Sequence, residues 1–278
     1  KNPGGKGINV SIALHSMGIH SIAVGLIGGF TGEEVLALLN DEGLDLKFIE
    51  IENETRTNVD ILGEKDDNEL VIRSAGPAVT EEKTELIYRL ILDIAQPPGI
   101  LVLSGSLPPG MRDDIYASLI TYGKSQGMKT ILDSHGEPLR LGVEAGPYLI
   151  KPNLEELRRL AGREFTETDE IIEYCRGLIA KGTEIIVVSL GGSGALVVTE
   201  REAWVGMVPC IEGEHTIGAG DSMVAGLIMG IIEDKPLEGL FKTGLACGLS
   251  AVLNEGPDLC EPETFSQALS QIDIEKVF

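Results

Sequence analysis

From residue 99 onward, short apolar runs alternate with amphipathic segments of helical period, and this alternation constrains the fold more than any other feature of the chain. Parallel strands need crossover helices between them, and those helices cover the sheet. The pattern therefore predicts an α/β fold: a doubly wound, mostly parallel sheet flanked by helices. Strands are expected at 99–104, 129–133, 148–151 and 184–189, and helices at 113–122, 154–160 and 170–180. In the last helix Ile171, Ile172, Cys175 and Ile179 share one face. At 278 residues, 43% of them hydrophobic, the chain is long enough to hide roughly 75% of its unfolded surface, and disorder, collagen repeats and a disulfide scaffold are excluded.

The texture upstream is different. Thr80, followed by Glu81 and Glu82, can cap a helix in which Leu86, Leu90 and Ile94 recur every four residues. Before it, the β-like runs at 57–62 and 70–73, joined by a polar turn at 63–68, read as a hairpin that interrupts the α/β alternation. A hairpin inserted early into a wound sheet is either a lid or a plain edge hairpin, and the pattern alone supports both. Its boundaries as an insertion are set at 52–76, within one α/β domain spanning 1–278.

With 44 acidic against 22 basic residues the net charge is −22, so the average surface repels nucleic acid and anionic membranes, and neither is expected as a partner. The same charge repels a phosphorylated small molecule, so an anion site has to be assembled locally from backbone N–H groups and a few cations. Cys175, Cys210, Cys247 and Cys260 are far apart and lack metal-site spacing, which suggests reduced thiols and a cytoplasmic protein. The apolar stretch at 223–232 falls short of the ~20 residues of a membrane span, and no signal peptide is expected.

Ligands of wound sheets bind outside the carboxyl ends of the strands. The segments there, at 104–110, 133–136, 151–153 and 189–194, are rich in glycine, hydroxyls and amides, as a polyanion site requires. The sharpest motif is Gly218-Ala219-Gly220-Asp221, which opens a helix of small residues. Its glycines let N–H groups at a helix N-terminus form an anion nest, and Asp221 could take the proton of a hydroxyl attacking a phosphoryl group held there. On spacing alone, Asp221 could equally cap the helix. In the opening segment, Gly4, Gly5 and Gly7 permit close backbone approach, and Lys6 and Asn9 offer a cation and an amide, although a flexible turn would need the same glycines. Asn153 and Glu156 can hold magnesium through water or complete a helix cap. The segment 189–194 reads as a tight hairpin that could also serve as a nucleotide platform. Gly123-Lys124-Ser125 imitates a P-loop but ends a helix, Asn53-Glu54-Thr55 matches a glycosylation acceptor that a cytosolic chain would not use, and neither metal-spaced histidines nor a Gly-x-Ser-x-Gly elbow is present.

Seven ordered motifs resemble the ribokinase-like sugar kinases of the PfkB group, and within it the 1-phosphofructokinase and tagatose-6-phosphate kinase branch. They are Pro-Gly-Gly-Lys-Gly-Ile-Asn-Val at 3–10, Gly-Leu-Ile-Gly-Gly-Phe-Thr-Gly at 25–32, Glu-Thr-Arg-Thr-Asn-Val at 54–59 and Leu-Ser-Gly-Ser-Leu-Pro-Pro-Gly at 103–110. Leu-Asp-Ser-His-Gly-Glu at 132–137, Ile-Lys-Pro-Asn-Leu-Glu-Glu-Leu at 150–157 and the Gly-Ala-Gly-Asp-Ser helix complete the set. The resemblance implies ATP-dependent phosphoryl transfer to a hydroxyl of a phosphorylated ketohexose, with Mg2+ bridging the phosphates. It makes Asp221 the base and Gly218, Ala219 and Gly220 the anion hole. Lys151, Asn153, Ser189, Gly191, Gly194 and Asn254 fall on the nucleotide side, with Asn153 and Glu156 magnesium-associated. Gly4, Gly5, Lys6 and Asn9, with Arg56 and Ser104, fall on the sugar side. The hairpin would be the β lid, which can also supply a homodimer interface. His215 stands where relatives often have a small polar residue, and the family's first strand and acidic sugar-contacting residue are expected upstream of Lys1.

Within the branch, the lysine of Gly-Gly-Lys-Gly and the Arg56 segment favour fructose 1-phosphate, whereas 252–256 also resembles the minor 6-phosphofructokinase, and tagatose 6-phosphate is a third acceptor. Lys6 and Arg56, with Arg73, are expected to hold the phosphate the substrate already carries. Competing readings are a ribose or nucleoside kinase, which needs no cations for a resident phosphate, and a non-catalytic sugar-phosphate sensor.

Overall fold

The computed structural model describes residues 2–62, 69–209, 211, 217–254 and 259–278. The turn expected at 63–68 lies outside them, as do Cys210, His215, Thr216, Glu255 and Gly256. In chain order the elements are α1 (Lys6–Ser16), β1 (Ile22–Ile27), α2 (Gly29–Asp41), β2 (Asp45–Glu50), β3 (Val59–Leu62), β4 (Glu69–Ile72), α3 (Glu81–Ile94), β5 (Ile100–Ser104) and α4 (Ile115–Ser125). There follow β6 (Lys129–Asp133), α5 (Gly136–Glu144), β7 (Leu149–Ile150), α6 (Leu154–Ala161), α7 (Thr168–Ile179), β8 (Ile185–Ser189), β9 (Ala195–Val198) and β10 (Ala203–Met207). Then come α8 (Ala219–Ile232), α9 (Leu237–Leu253), α10 (Pro262–Gln271) and β11 (Asp273–Lys276). The chain divides into two compact units, the smaller of Lys1–Pro3, Ile22–Ile94 and Leu107–Arg112, the larger of Gly4–Ser21, Ala95–Ser106 and Asp113–Phe278.

The larger unit is built on a sheet of order β11-β10-β9-β8-β7-β6-β5. Strands β5 to β8 pair in parallel, and β9, β10 and β11 extend the sheet antiparallel. Consecutive parallel strands step one way across the sheet, so right-handed crossovers place α4, α5, α6 and α7 on one face. Leu132 points to that face, where a Cβ on Gly142 of α5 would come within 2.4 Å of it. The alternate residues Ile131, Leu149, Ile185 and Val187 pack with Val10, Ala13 and Leu14 of α1 and with α8 and α9. Every residue of α8 from Asp221 to Ile231 is buried, which a helix tolerates only when it is apolar on all sides. Gly226 lets α9 approach it, since a Cβ there would lie 2.5 Å from the Thr243 carbonyl. This packing fixes the α8 N-terminus, where the site lies.

The doubly wound α/β expectation is met. The strand at 129–133 matches β6 residue for residue, whereas the one at 148–151 is reduced to Leu149–Ile150, because Pro152 has no N–H with which to extend the ladder. Helix α1 begins at Lys6, inside the glycine motif, after Gly5 at φ 130°. The smaller unit pairs β1 with β2 in parallel and β3 with β4 as the expected hairpin. Thr80 does cap α3, its Oγ1 accepting from the Lys83 N–H at 3.3 Å. The face expected to be buried differs, however: Leu86 is 43% exposed, and Thr84 and Ile87 are inside. Two motifs meet at the start of α2, where the Glu54 carboxylate accepts the N–H groups of Phe30 and Thr31 at 3.1 and 3.0 Å. Those bonds, the Thr31 one foremost, hold its pKa below the ordinary carboxylate value. Among the described residues no helix is long and apolar enough to cross a membrane.

Candidate active site

Asp133 closes β6 after the apolar pair Ile131 and Leu132 and is itself fully buried. Lys6, the first residue of α1, donates from Nζ to Asp133 Oδ1 at 2.7 Å. Lys151, immediately after β7, brings its Nζ to 3.5 Å from the same oxygen, with its side chain 4% exposed. One carboxylate oxygen thus gathers two ammonium groups from distant segments. Burial works to lower the Lys6 pKa, but the Asp133 charge and hydrogen bond, with the charges of Glu156 and Asp221, outweigh it and raise the value. Asp133 Oδ2 has no hydrogen-bond partner among the described residues.

The tip of α8 faces this cluster. Gly218 takes the left-handed conformation at φ 84°, and the first helical bond runs from the Ser222 N–H to its carbonyl at 2.8 Å. The N–H groups of Ala219, Gly220 and Asp221 precede that bond and are left for a ligand by the rule of helix termini. The Gly220 Cα carries only hydrogen, and a Cβ there would lie 3.5 Å from Lys151 Nζ, filling the space between helix tip and cation. Gly218, not Asp221, stands at the N-cap of α8, and Asp221 is its third helical residue. The Asp221 Oδ2 accepts the Asn9 side-chain amide at 2.7 Å. Burial pushes the Asp221 pKa up to about 6; the Asp133 charge adds to this, while the Asn9 bond and the charges of Lys6 and Lys151 oppose it. A carboxyl with that pKa is ~90% ionised at neutral pH and still accepts a proton readily, as a general base should.

Of the residues expected on the nucleotide side, Asn153 and Glu156 form a reciprocal capping box: Asn153 Oδ1 accepts the Glu156 N–H at 2.7 Å, and Glu156 Oε2 accepts the Asn153 N–H at 2.8 Å. Each side chain commits one oxygen, and Glu156 keeps Oε1, a hard donor suited to magnesium-bound water. Among the described residues no cluster of three or more His, Cys, Asp or Glu side chains that could hold a metal ion occurs. Ser189 pairs with this segment, its N–H donating to the Pro152 carbonyl at 3.1 Å, and a 3-10 turn at Gly191–Ser193 leads through Gly194 into β9. This is the tight hairpin expected at 189–194. The Asn254 side-chain amide donates to the Leu259 carbonyl at 2.5 Å. Leu259 in turn packs on Gly218, so Asn254 reaches the start of α8 indirectly.

Of the residues expected on the sugar side, Gly4 and Gly5 lead into α1, which carries Lys6 and Asn9 to the cluster. Ser104 ends β5 beside Asp133 in register, with its Oγ buried and without a partner among the described residues. Arg56 belongs to the smaller unit, where its guanidinium donates to the Ser74 carbonyl at 3.4 Å. The structure therefore gathers Lys6, Asn9, Lys151 and the 218–221 tip around Asp133. Sequence reasoning gave Asp133 no role, although a carboxylate closing an apolar strand was the signal for it.

The family model for the pfkB family carbohydrate kinase matches residues 1–264. The chain belongs to the pfkB family of carbohydrate kinases. A 1-phosphofructokinase of Bacillus subtilis is 35% identical over 277 residues, covering 100% of this chain and 89% of that one. A tagatose-6-phosphate kinase of Staphylococcus epidermidis is 31% identical over 280 residues, covering 100% and 90%. Phosphofructokinase-2 from Escherichia coli, in a crystal structure with substrates and products, superposes with a TM-score of 0.91 at 34% identity, covering 97% of this chain and 88% of that one. As a pfkB carbohydrate kinase, the protein uses ATP as its phosphoryl donor.

Proposed function

We propose that this kinase phosphorylates fructose 1-phosphate to fructose 1,6-bisphosphate, with Asp221 as the general base. The observation that carries the reading is the Asp221 carboxylate, buried and held by Asn9 at 2.7 Å beside the N-terminus of α8. As the sugar hydroxyl oxygen bonds to the γ-phosphorus, its proton passes to Asp221 and the bond to ADP breaks. The amides at 218–221 and the ammonium groups of Lys6 and Lys151 offset the charge on the transferring oxygens. Positioning and charge neutralisation are most of what phosphoryl transfer asks of a protein. Mg2+, held through water by Asn153 and Glu156, would neutralise charge on the donor phosphates.

We further assign the hairpin within 52–76 as a lid over the sugar in a single catalytic domain, and as a homodimer contact. Val59 and Ile72, paired across it, are 44% and 51% exposed. Arg56, in the same segment, is assigned to the phosphate the sugar already carries. A cytoplasmic location follows from the use of ATP and a phosphosugar. ADP release measured with fructose 1-phosphate, fructose 6-phosphate, tagatose 6-phosphate, ribose and adenosine tests the reading. The expected result is the highest kcat/KM for fructose 1-phosphate. A preference for ribose or adenosine overturns the phosphosugar assignment, and ligand-induced stabilisation without ADP marks a sensor.

A further inference from the structure

Asp133 is less exposed (0%) than Lys151 (3%) or Asp221 (6%), yet no step of the reaction above uses it. A carboxylate taken out of water is a poor way to stabilise a fold, because an apolar group of similar size would serve as well or better. Its backbone is tied to the end of β5: the Asp133 carbonyl accepts the Gly105 N–H at 2.9 Å, and Oγ of the next residue, Ser134, donates to the Gly105 carbonyl at 2.9 Å. The carboxylate therefore stands at the end of a strand that is paired with β5 on one side and β7 on the other. The lysines it contacts are long and flexible, come from α1 and from the segment after β7, and would repel each other if left alone. One shared oxygen, at 2.7 Å from Lys6 Nζ and 3.5 Å from Lys151 Nζ, removes both problems.

We propose that Asp133 is a positioning residue for phosphoryl transfer: its buried carboxylate tethers Lys6 and Lys151 as a pair beside the α8 tip, so that both ammonium groups meet the oxygens of the group in transit. The inference rests on the kinase reading, and the part it gives Lys6 departs from the sequence expectation that Lys6 holds the sugar's resident phosphate. An ammonium tied to Asp133 and within electrostatic reach of Asp221 serves the transferring phosphoryl group, leaving the sugar's resident phosphate to other cations. Cations fixed before the reaction need no reorganisation during it, which is where preorganised sites gain their rate.

Asp133→Asn keeps the shape and removes the charge. The expected result is a fall of ~100-fold in kcat with KM for fructose 1-phosphate changed less than about threefold. On a Lys6→Met/Lys151→Met background the same substitution should cost less than about threefold more, because its effect runs through those lysines. A loss confined to KM, a full additional loss on that background, or recovery of kcat by excess Mg2+ overturns the proposal. A second measurement needs no turnover: mass-spectrometric readout of acetic anhydride labelling. Lys6 in the wild type should label more slowly than Lys83, likewise only partly exposed, and should speed up several-fold in Asp133→Asn. If Asp133→Asn does not fold, the wild-type comparison decides alone, and equal or faster labelling of Lys6 overturns the tether. Absence of turnover in the wild type would instead refute the kinase reading, and the labelling would still decide the tether.

Discussion

At the residue scale the chemistry depends on Asp221 being a buried carboxylate with a pKa near 6. The ionised form is the base, so kcat/KM should fall about tenfold per pH unit once the pH drops below about 6, as a pH–rate profile would show. The same shift bears on stability. A carboxyl whose folded pKa lies above its ordinary 3.8 binds its proton more tightly when folded, so it favours folding at low pH. That contribution is lost as pH rises through about 6, and above this Asp221 is a net cost on the order of 3 kcal/mol. Asp221→Asn should therefore melt at higher temperature than wild type at pH 8, with the gap closing below pH 6 and gone near pH 4; a variant less stable at pH 8 would contradict this. The sequence could not separate base from cap here. The contact the structure adds is the amide of Asn9, at the other end of the chain, and local spacing carries no information about it.

At the element scale the site depends on how α8 begins and where it is held. Gly218→Ala would force a side chain into φ 84° and place a Cβ 2.5 Å from Leu259. Chemical denaturation should show a loss of about 1–3 kcal/mol, together with a lower kcat. Asn153→Ala should cost about 1 kcal/mol through the lost capping box. If the residue also helps hold the metal, it should raise the Mg2+ concentration needed for half-maximal rate. The strands between 99 and 189 were legible because each is a short apolar run bounded by turn residues, and β6 fell out to the residue. The buried face of α3 was not, because Leu86 keeps the helical period yet stays exposed. That helix buries Thr84 and Ile87, and which stripe turns inward is settled by its neighbours rather than by period. Strand β11, short and mostly polar, carries no signal of its own and exists by pairing with β10.

At the scale of the whole molecule, a charge of −22 coexists with Lys6 and Lys151 gathered around Asp133, so the positive charge that the proposed anion site needs is concentrated locally. Composition revealed that such a construction was needed, and the glycine and lysine motifs revealed roughly where. Asp133, which ties the two lysines together, emerged only when strand order brought β6 beside both segments. The proposed dimer contact is testable by sedimentation: Val59→Asp with Ile72→Asp should shift a dimer to monomer, and an unchanged sedimentation coefficient would remove the hairpin from the interface. The most direct test of the central claim is transfer of labelled γ-phosphate from ATP to fructose 1-phosphate by wild type and by Asp221→Asn at equal concentration. The account predicts labelled fructose 1,6-bisphosphate from the wild type and a rate at least ~100-fold lower from the variant, with ADP affinity unchanged. A variant rate within about tenfold of wild type would contradict it.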